Sequence, residues 1–149
     1  MVVNMKKIFL VDDNEDHALL IKRCVEDDHT STVHFSDGLQ VLKACEAMNG
    51  ENAKPDLILL DLQLPGMNGF EVLMKLKQMK WLEQVPVVML TTSRRREEIE
   101  KAYQLGAAGF VVKSEDFEEL KAKLKQVKDY WFRAVELPSA QSAENARRS

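Results

Sequence analysis

The sequence predicts an α/β fold, a doubly wound five-stranded parallel sheet with five helices on its two faces. Three observations carry this expectation. Leu57-Ile58-Leu59-Leu60 is an all-apolar run that ends on Asp61 and breaks at Pro65-Gly66, the pattern of a short strand buried on both faces in the middle of a parallel sheet. The pattern recurs in Ile8-Phe9-Leu10-Val11 before Asp12-Asp13, in Val87-Val88-Met89-Leu90 before Thr91-Thr92-Ser93, and in Phe110-Val111-Val112 before Lys113. Stretches of helical spacing alternate with these runs, and right-handed crossovers then bring the carboxyl ends of neighbouring strands to one edge of the sheet.

Composition narrows the class further. A chain of 149 residues, 45% apolar and 30% charged, suits one globular domain. Its 24 acidic and 21 basic residues leave a formal charge of −3, too balanced for a nucleic-acid binder that depends on neutralising phosphates. No apolar run approaches the roughly 20 residues of a membrane span. Lys6-Lys7 is followed by a short apolar run only, which is no signal peptide. No membrane association and a cytoplasmic location are therefore expected. Cys24 and Cys45 lie far apart, each in a helical pattern, and read as small core residues rather than a disulfide or zinc framework.

Taken in order, the first strand hands Asp12-Asp13 to Asn14-Glu15-Asp16, whose two acidic residues suit a helix start, followed by Ala18, Ile21 and Val25 at helical spacing. Val33-His34-Phe35 reads as a short second strand, and Ser36-Asp37-Gly38 turns into a helix carrying Leu39, Leu42 and Met48. After the third strand, Gly66 and Gly69 give the loop its freedom, and Phe70, Leu73 and Leu76 mark a third helix ending near Lys80. Pro86 opens the fourth strand, Ser93 is placed to cap a fourth helix, and Gly106 to end it in a left-handed conformation. Arg94-Arg95-Arg96 would occupy that helix's first turn, against the dipole, and reads as a solvated basic face or a surface for an acidic partner.

The last helix is spaced three and four apart through Phe117, Leu120, Leu124, Val127, Trp131 and Ala134, a seam of about 30 Å. Tyr130-Trp131-Phe132, with Val135 and Leu137, exceeds what one core-facing seam requires, so this end is expected to make a partner contact or a self-contact. Pro138 stops the helix. Residues 1–137 are thus expected to form the domain with its extended last helix, and residues 138–149, small and polar, a disordered tail.

Chemistry gathers where the strands end. Asp12, Asp13 and Asp61 would share a pocket, and three carboxylates that close repel unless a cation joins them; a hard divalent ion with oxygen ligands, Mg²⁺, resolves the repulsion. Lys113 adds a positive charge and Thr91 a hydroxyl. Carboxylate, metal, ammonium and hydroxyl make a site for a phosphoryl group, with a carboxylate attacking in line to give an acyl phosphate. His17, one turn past Asp13, is better read as an ordinary helical histidine than as a metal ligand. A metal-dependent phosphohydrolase would share this chemistry but needs a nearby general acid and a substrate-closing insert, neither of which is visible.

Those residues carry a resemblance. Asp12-Asp13 after the first strand, Asp61 in Asp-Leu-Gln-Leu-Pro-Gly after the third, Thr91 after the fourth and Lys113 after the fifth resemble the receiver domain of two-component response regulators over about residues 5–133. The resemblance implies the flavodoxin-like strand order 2-1-3-4-5. It also implies a phosphoacceptor signalling domain, not an enzyme in the ordinary sense, that assists its own phosphorylation and dephosphorylation. Asp61 would take a phosphoryl group from a sensor histidine kinase in a phosphorelay, and Asp12, Asp13, Asp61 and the Gln63 carbonyl would hold Mg²⁺. Lys113 would contact the phosphoryl group, and Thr91 and Phe110 would switch the face formed by the fourth helix, fifth strand and fifth helix.

Leu-Thr-Thr-Ser, Leu-Pro-Gly-Met-Asn-Gly and the ending Asp-Tyr-Trp-Phe-x-x-Val-Glu-Leu-Pro most resemble single-domain regulators that partner bacterial phytochrome-type kinases. That subgroup implies a homodimer anchored by Tyr130, Trp131 and Phe132. Ser114 stands where the family usually has proline after the lysine, a departure that bears on how Lys113 is aimed.

Overall fold

The computed structural model describes residues 5–48 and 54–134. In chain order the elements are β1 (Lys6–Val11), α1 (Glu15–Val25), β2 (Thr30–Phe35), α2 (Gly38–Ala47), β3 (Leu57–Leu60), α3 (Gly69–Gln78), a 3₁₀ turn (Lys80–Leu82), β4 (Val87–Thr91), α4 (Arg96–Gln104), β5 (Gly109–Val112) and α5 (Phe117–Asp129), which runs into a π-helical turn (Tyr130–Ala134). All strand pairs are parallel and the order is β2-β1-β3-β4-β5, the doubly wound, flavodoxin-like arrangement expected.

Burial follows position in the sheet. All four residues of β3 are buried, as are all five of β4, while the edge strands β2 and β5 are only partly covered. An edge strand need not be apolar throughout, and Thr30, Ser31 and Thr32 belong to β2 by pairing with Lys6, Lys7 and Ile8, although the apolar reading found only its last three residues.

Alternation along the strands divides the core in two. Phe9, Val11, Ile58, Leu60, Val87 and Met89 face α2, α3 and α4 through Val41, Leu42, Val72, Leu73, Leu76 and Ala102. Ile8, Leu10, Leu57, Leu59, Val88 and Leu90 face α1 and α5 through Ala18, Ile21, Val25, Leu120 and Leu124. Each fully buried aliphatic side chain contributes about 1.5–3 kcal/mol against exposure, so the sheet is clamped from both sides and its strand ends are held in register. Cys45 belongs to this core, Cys24 is half-buried, and both are free thiols.

Helix starts follow their caps: Asn14, Asp37, Asn68 and Asp116 each accept a backbone N–H from the first turn they precede. The fourth helix departs from expectation. Ser93 Oγ accepts from the Arg95 amide at 3.3 Å, closing a turn ahead of the helix, and Arg95 occupies the cap position with no side-chain bond. Only Arg96 of the basic run lies in α4, and Glu97 and Glu98 occupy its first turn, where the dipole favours them. The three arginines are exposed, as the solvated reading requires. Gly106 ends the helix at φ 104°, and Gly66 turns the loop after β3 at φ 75°.

The seam of the last helix is realised through Leu120 and Leu124, with Val127, Trp131 and Phe132 half-buried against the same core, whereas Phe117 at its start is exposed. Val135, Leu137, Pro138 and the tail 138–149 lie outside the described residues. Among the described residues no helix is long and apolar enough to cross a membrane.

Candidate functional site

Strand pairing places the acids. The Asp12 amide continues the β1–β2 ladder to the Phe35 carbonyl at 3.1 Å, and the Asp61 amide continues β3 to the Val11 carbonyl at 2.9 Å. Two carboxylates far apart in sequence therefore leave adjacent strands side by side. Asp13 is the exposed member of the set, and each of Asp12, Asp13 and Asp61 offers an oxygen within 4.8 Å of the others.

Lys113 reaches this cluster from the far side of the sheet. Its amide donates to the Thr91 carbonyl at 2.7 Å, extending the β4–β5 ladder by one bond. Its ammonium lies 2.6 Å from Asp12 Oδ2 and 3.0 Å from Asp61 Oδ2. All three groups are buried: the Lys113 side chain is 6% exposed, that of Asp12 1% and that of Asp61 10%. One cation thus joins two buried carboxylates, which is what makes their burial tolerable. The lysine is aimed in this way with Ser114 after it. Ser114 Oγ accepts from the Asp116 amide at 3.1 Å and donates to Glu119 at 3.1 Å, tying the loop to the start of α5.

The remaining carboxylate oxygens are also held. Asp12 Oδ1 accepts from the Asn14 amide at 2.9 Å, and Asp61 Oδ1 from the Gln63 amide at 3.2 Å. Gly69 lets the loop close over Asp61: its amide donates to the Leu62 carbonyl at 2.8 Å, and a Cβ there would overlap the Asp61 carbonyl and lie 2.7 Å from Leu62 Cα. Thr91 is fully buried at the end of β4, its hydroxyl accepting from the Ser93 amide at 3.4 Å. Phe110, opposite Met89 in the β4–β5 register, is half-buried against the α2–α3–α4 core.

The site therefore unites Asp12, Asp13, Asp61, Thr91 and Lys113, and brings the Gln63 backbone beside Asp61. Phe110, Tyr130 and Trp131 belong to the α4–β5–α5 side, where with Tyr103 and Val111 they line an open cavity of about 480 Å³, whereas Phe132 lies on the other side of α5 beside Lys6, Cys24 and Thr30. Trp131 and Phe132 are half-buried against their own core, and Tyr130 is 52% exposed.

Two histidines lie at the site beyond the residues assigned to it from the sequence, His17 having been read there as an ordinary helical histidine. His34 Nε2 donates to the Asp12 carbonyl at 2.7 Å; a carbonyl can only accept, so the ring carries its proton there. His17 Nδ1 lies 3.5 Å from the Lys113 ammonium. His34 could have been found only from the register that sets it opposite Leu10, and His17 only from the path of Lys113.

An oxygen-only donor set with one exposed member, Asp13, fits a hard divalent cation that keeps waters. Asp12 and Asp61 would be shared between the ion and Lys113, whose ammonium already neutralises part of their charge.

A family model described as response regulator receiver domain matches residues 8–125. The probable methanogenesis regulatory protein FilR2 of Methanothrix harundinacea is 37% identical over 129 residues, 83% of this chain and 82% of that protein. Response regulator Rcp1 of Synechocystis is 33% identical over 142 residues, 91% of this chain and 95% of its own length; the structure of its Mn²⁺-bound form has a TM-score of 0.79 at 31% identity, covering 90% of this chain and 99% of that one. The phosphorylated cyanobacterial phytochrome response regulator RcpA matches with a TM-score of 0.83 at 35% identity, covering 91% of this chain and 99% of that one. With its acids, hydroxyl and lysine at the strand ends where the sequence pattern put them, the chain belongs to the response regulator receiver domain family.

Proposed function

We propose that this receiver domain is a phosphorylation switch in which Asp61 accepts a phosphoryl group from a sensor histidine kinase, of phytochrome type, in a cytoplasmic two-component system. The observation that carries the reading is the buried Lys113 ammonium shared between Asp12 and Asp61, a cation already at the place where phosphoryl oxygens would arrive. Asp61 supplies the nucleophilic oxygen: its bond to phosphorus forms as the phosphorus–nitrogen bond of the kinase phosphohistidine breaks, and the imidazole keeps the electron pair. Asp12, Asp13, Asp61 and the Gln63 carbonyl would hold Mg²⁺, which supplies charge neutralisation for the transferred group.

Lys113 leaves the Asp61 carboxylate for the new phosphoryl oxygens, and Thr91 turns its hydroxyl toward them. Thr91 and Phe110 lie on adjacent strands, so movement of one hydroxyl frees room that the half-buried ring can take, shifting the α4–β5–α5 face between two packings. The same residues, with water in place of histidine, assist loss of the phosphoryl group.

The test is intact-protein mass after incubation with Mg²⁺ and a small acyl-phosphate donor. Wild type is expected to gain one phosphoryl group and Asp61→Asn none, because an amide is a poor nucleophile; modification of the variant at the wild-type rate would remove Asp61 from its role.

The output surface is read as a homodimer contact through α4, β5 and the aromatic end of α5, with Tyr130 and Trp131 as anchors on that face and Phe132, expected as a third, turned to the other side of the helix. Tyr130 is the cleanest probe, because Trp131 and Phe132 also pack on their own core. Sedimentation at micromolar concentration should show a dimer for wild type and a shift toward monomer for Tyr130→Glu. A wild type that sediments as a monomer with and without the donor would refute the dimer.

A further inference from the structure

A lysine ammonium carries three N–H donors and accepts nothing. Around Lys113 two of the three are directed at carboxylates, Asp12 Oδ2 at 2.6 Å and Asp61 Oδ2 at 3.0 Å. The third nearby partner is the imidazole of His17, whose Nδ1 lies 3.5 Å from Nζ. With Lys113 buried, an unpartnered N–H is costly. Since the ammonium can only donate, Nδ1 is the acceptor in this contact, with a ring proton on Nε2.

His17 is not a surface accident. It sits on α1, one turn past the cap residue Asn14, and is half-buried. With Thr92, Lys113, Ser114 and Glu115 it lines a small cavity of about 170 Å³ beside the lysine. Ser114, in place of the family's usual proline, ties the loop after Lys113 to Asp116 and Glu119 at the start of α5, and the ammonium meets the α1 imidazole.

From this geometry we infer that His17 is a positioning residue for Lys113, an acceptor that holds the ammonium at the phosphoryl site when it releases the Asp61 carboxylate. The inference rests on the proposed role of Lys113 in phosphoryl transfer. The contact is the longest of the three, as suits a partner that becomes important once a carboxylate contact is given up. Of the three donors, the one freed from Asp61 can then turn to a phosphoryl oxygen while Asp12 and His17 keep the other two.

Two measurements test it. The first needs no phosphate: ¹⁵N-detected spectra of the His17 ring in mildly alkaline buffer should show Nδ1 unprotonated and Nε2 protonated, and Lys113→Met should shift the Nδ1 resonance. A ring with its proton on Nδ1, or a signal untouched by Lys113→Met, overturns the inference even if Asp61 is phosphorylated as proposed. The second compares phosphorylation rates with a small acyl-phosphate donor and Mg²⁺. His17→Phe should lose roughly tenfold, the worth of one hydrogen bond to a charged group, and His17→Asn, which keeps an acceptor, should recover most of it. A wild-type rate for His17→Phe, or equal loss in both variants, also overturns the inference. If wild type takes no phosphate, the proposed function fails, and the ring spectra still decide whether His17 holds Lys113.

Discussion

Replacing Lys113 by Met keeps the apolar stem and removes the charge, leaving Asp12 and Asp61 buried and facing each other with no cation between them. Breaking a buried pair by removing one partner costs about 3–5 kcal/mol, because the remaining charge is uncompensated. The lower end applies here, since Asp61 keeps 10% of its side chain exposed and the open Asp13 lets water reach the cluster. A loss of about 3 kcal/mol corresponds to a fall in melting temperature of roughly 6–12 °C for a domain of this size. Mg²⁺ should reverse much of it. An ion at about 100 times its dissociation constant adds about 2.7 kcal/mol to a folded state that alone binds it. In the variant the two buried carboxylates meet the ion with their charge unneutralised, whereas in wild type the Lys113 ammonium already neutralises part of it. Thermal unfolding followed by circular dichroism, with chelator and with Mg²⁺, is the assay. The variant should melt well below wild type in chelator and gain more from Mg²⁺. Equal melting temperatures in chelator, or equal gains from Mg²⁺, would refute the view that Lys113 is the resident counter-ion of the acidic pocket.

Gly69→Ala pushes a methyl group into the Asp61 carbonyl and the Leu62 backbone, which cannot rotate away; a loss of roughly 1–3 kcal/mol in urea unfolding is expected, together with slowed phosphorylation because the displaced peptide carries Asp61. Gly66→Ala is its control: φ is 75° but nothing lies within 4 Å of the added carbon, so the cost should be the left-handed penalty of about 1–2 kcal/mol with phosphorylation preserved. At the opposite end of the sheet the hydrogen bond from Lys128 at 2.7 Å, helped by the His29 amide, holds the Asp27 carboxyl down at about 2. A depressed folded value stabilises above the ordinary carboxylate range, and that contribution is lost as pH falls toward about 2. Lys128→Ala should therefore move Asp27 up in an NMR titration, at a stability cost under about 1 kcal/mol for so exposed a pair, and the cost should vanish in acid. An Asp27 titration unmoved by the substitution would show that Lys128 is not the cause.

Short sequence patterns were enough to read the fold class and the gathering of acids, hydroxyl and lysine at the strand ends. Both rest on patterns a few residues long: an all-apolar run reports a strand buried on both faces, and a polar residue at its end reports the sheet edge where parallel crossovers collect side chains. The loop glycines at 66 and 69 and the helix starts after Asp13 and Ser36 were legible for the same reason, since a turn or a helix start is local chemistry. Tertiary structure decided what depends on distant pairing. The extent of β2 follows from its position at an edge, where apolar residues are not required and Thr30 to Thr32 leave no apolar signal. The start of α4 was settled by Ser93 closing a turn on the Arg95 amide instead of capping the helix. Trp131 and Phe132 had to choose between the α1–α5 core and the outside, and half-burial against Ile8, Leu10 and their neighbours is a property of the packed sheet. The partners of Lys113 are likewise tertiary: Asp12 lies 101 residues away, Asp61 lies 52 and His17 lies 96, and no periodicity in the chain could state which of them its three N–H groups would meet.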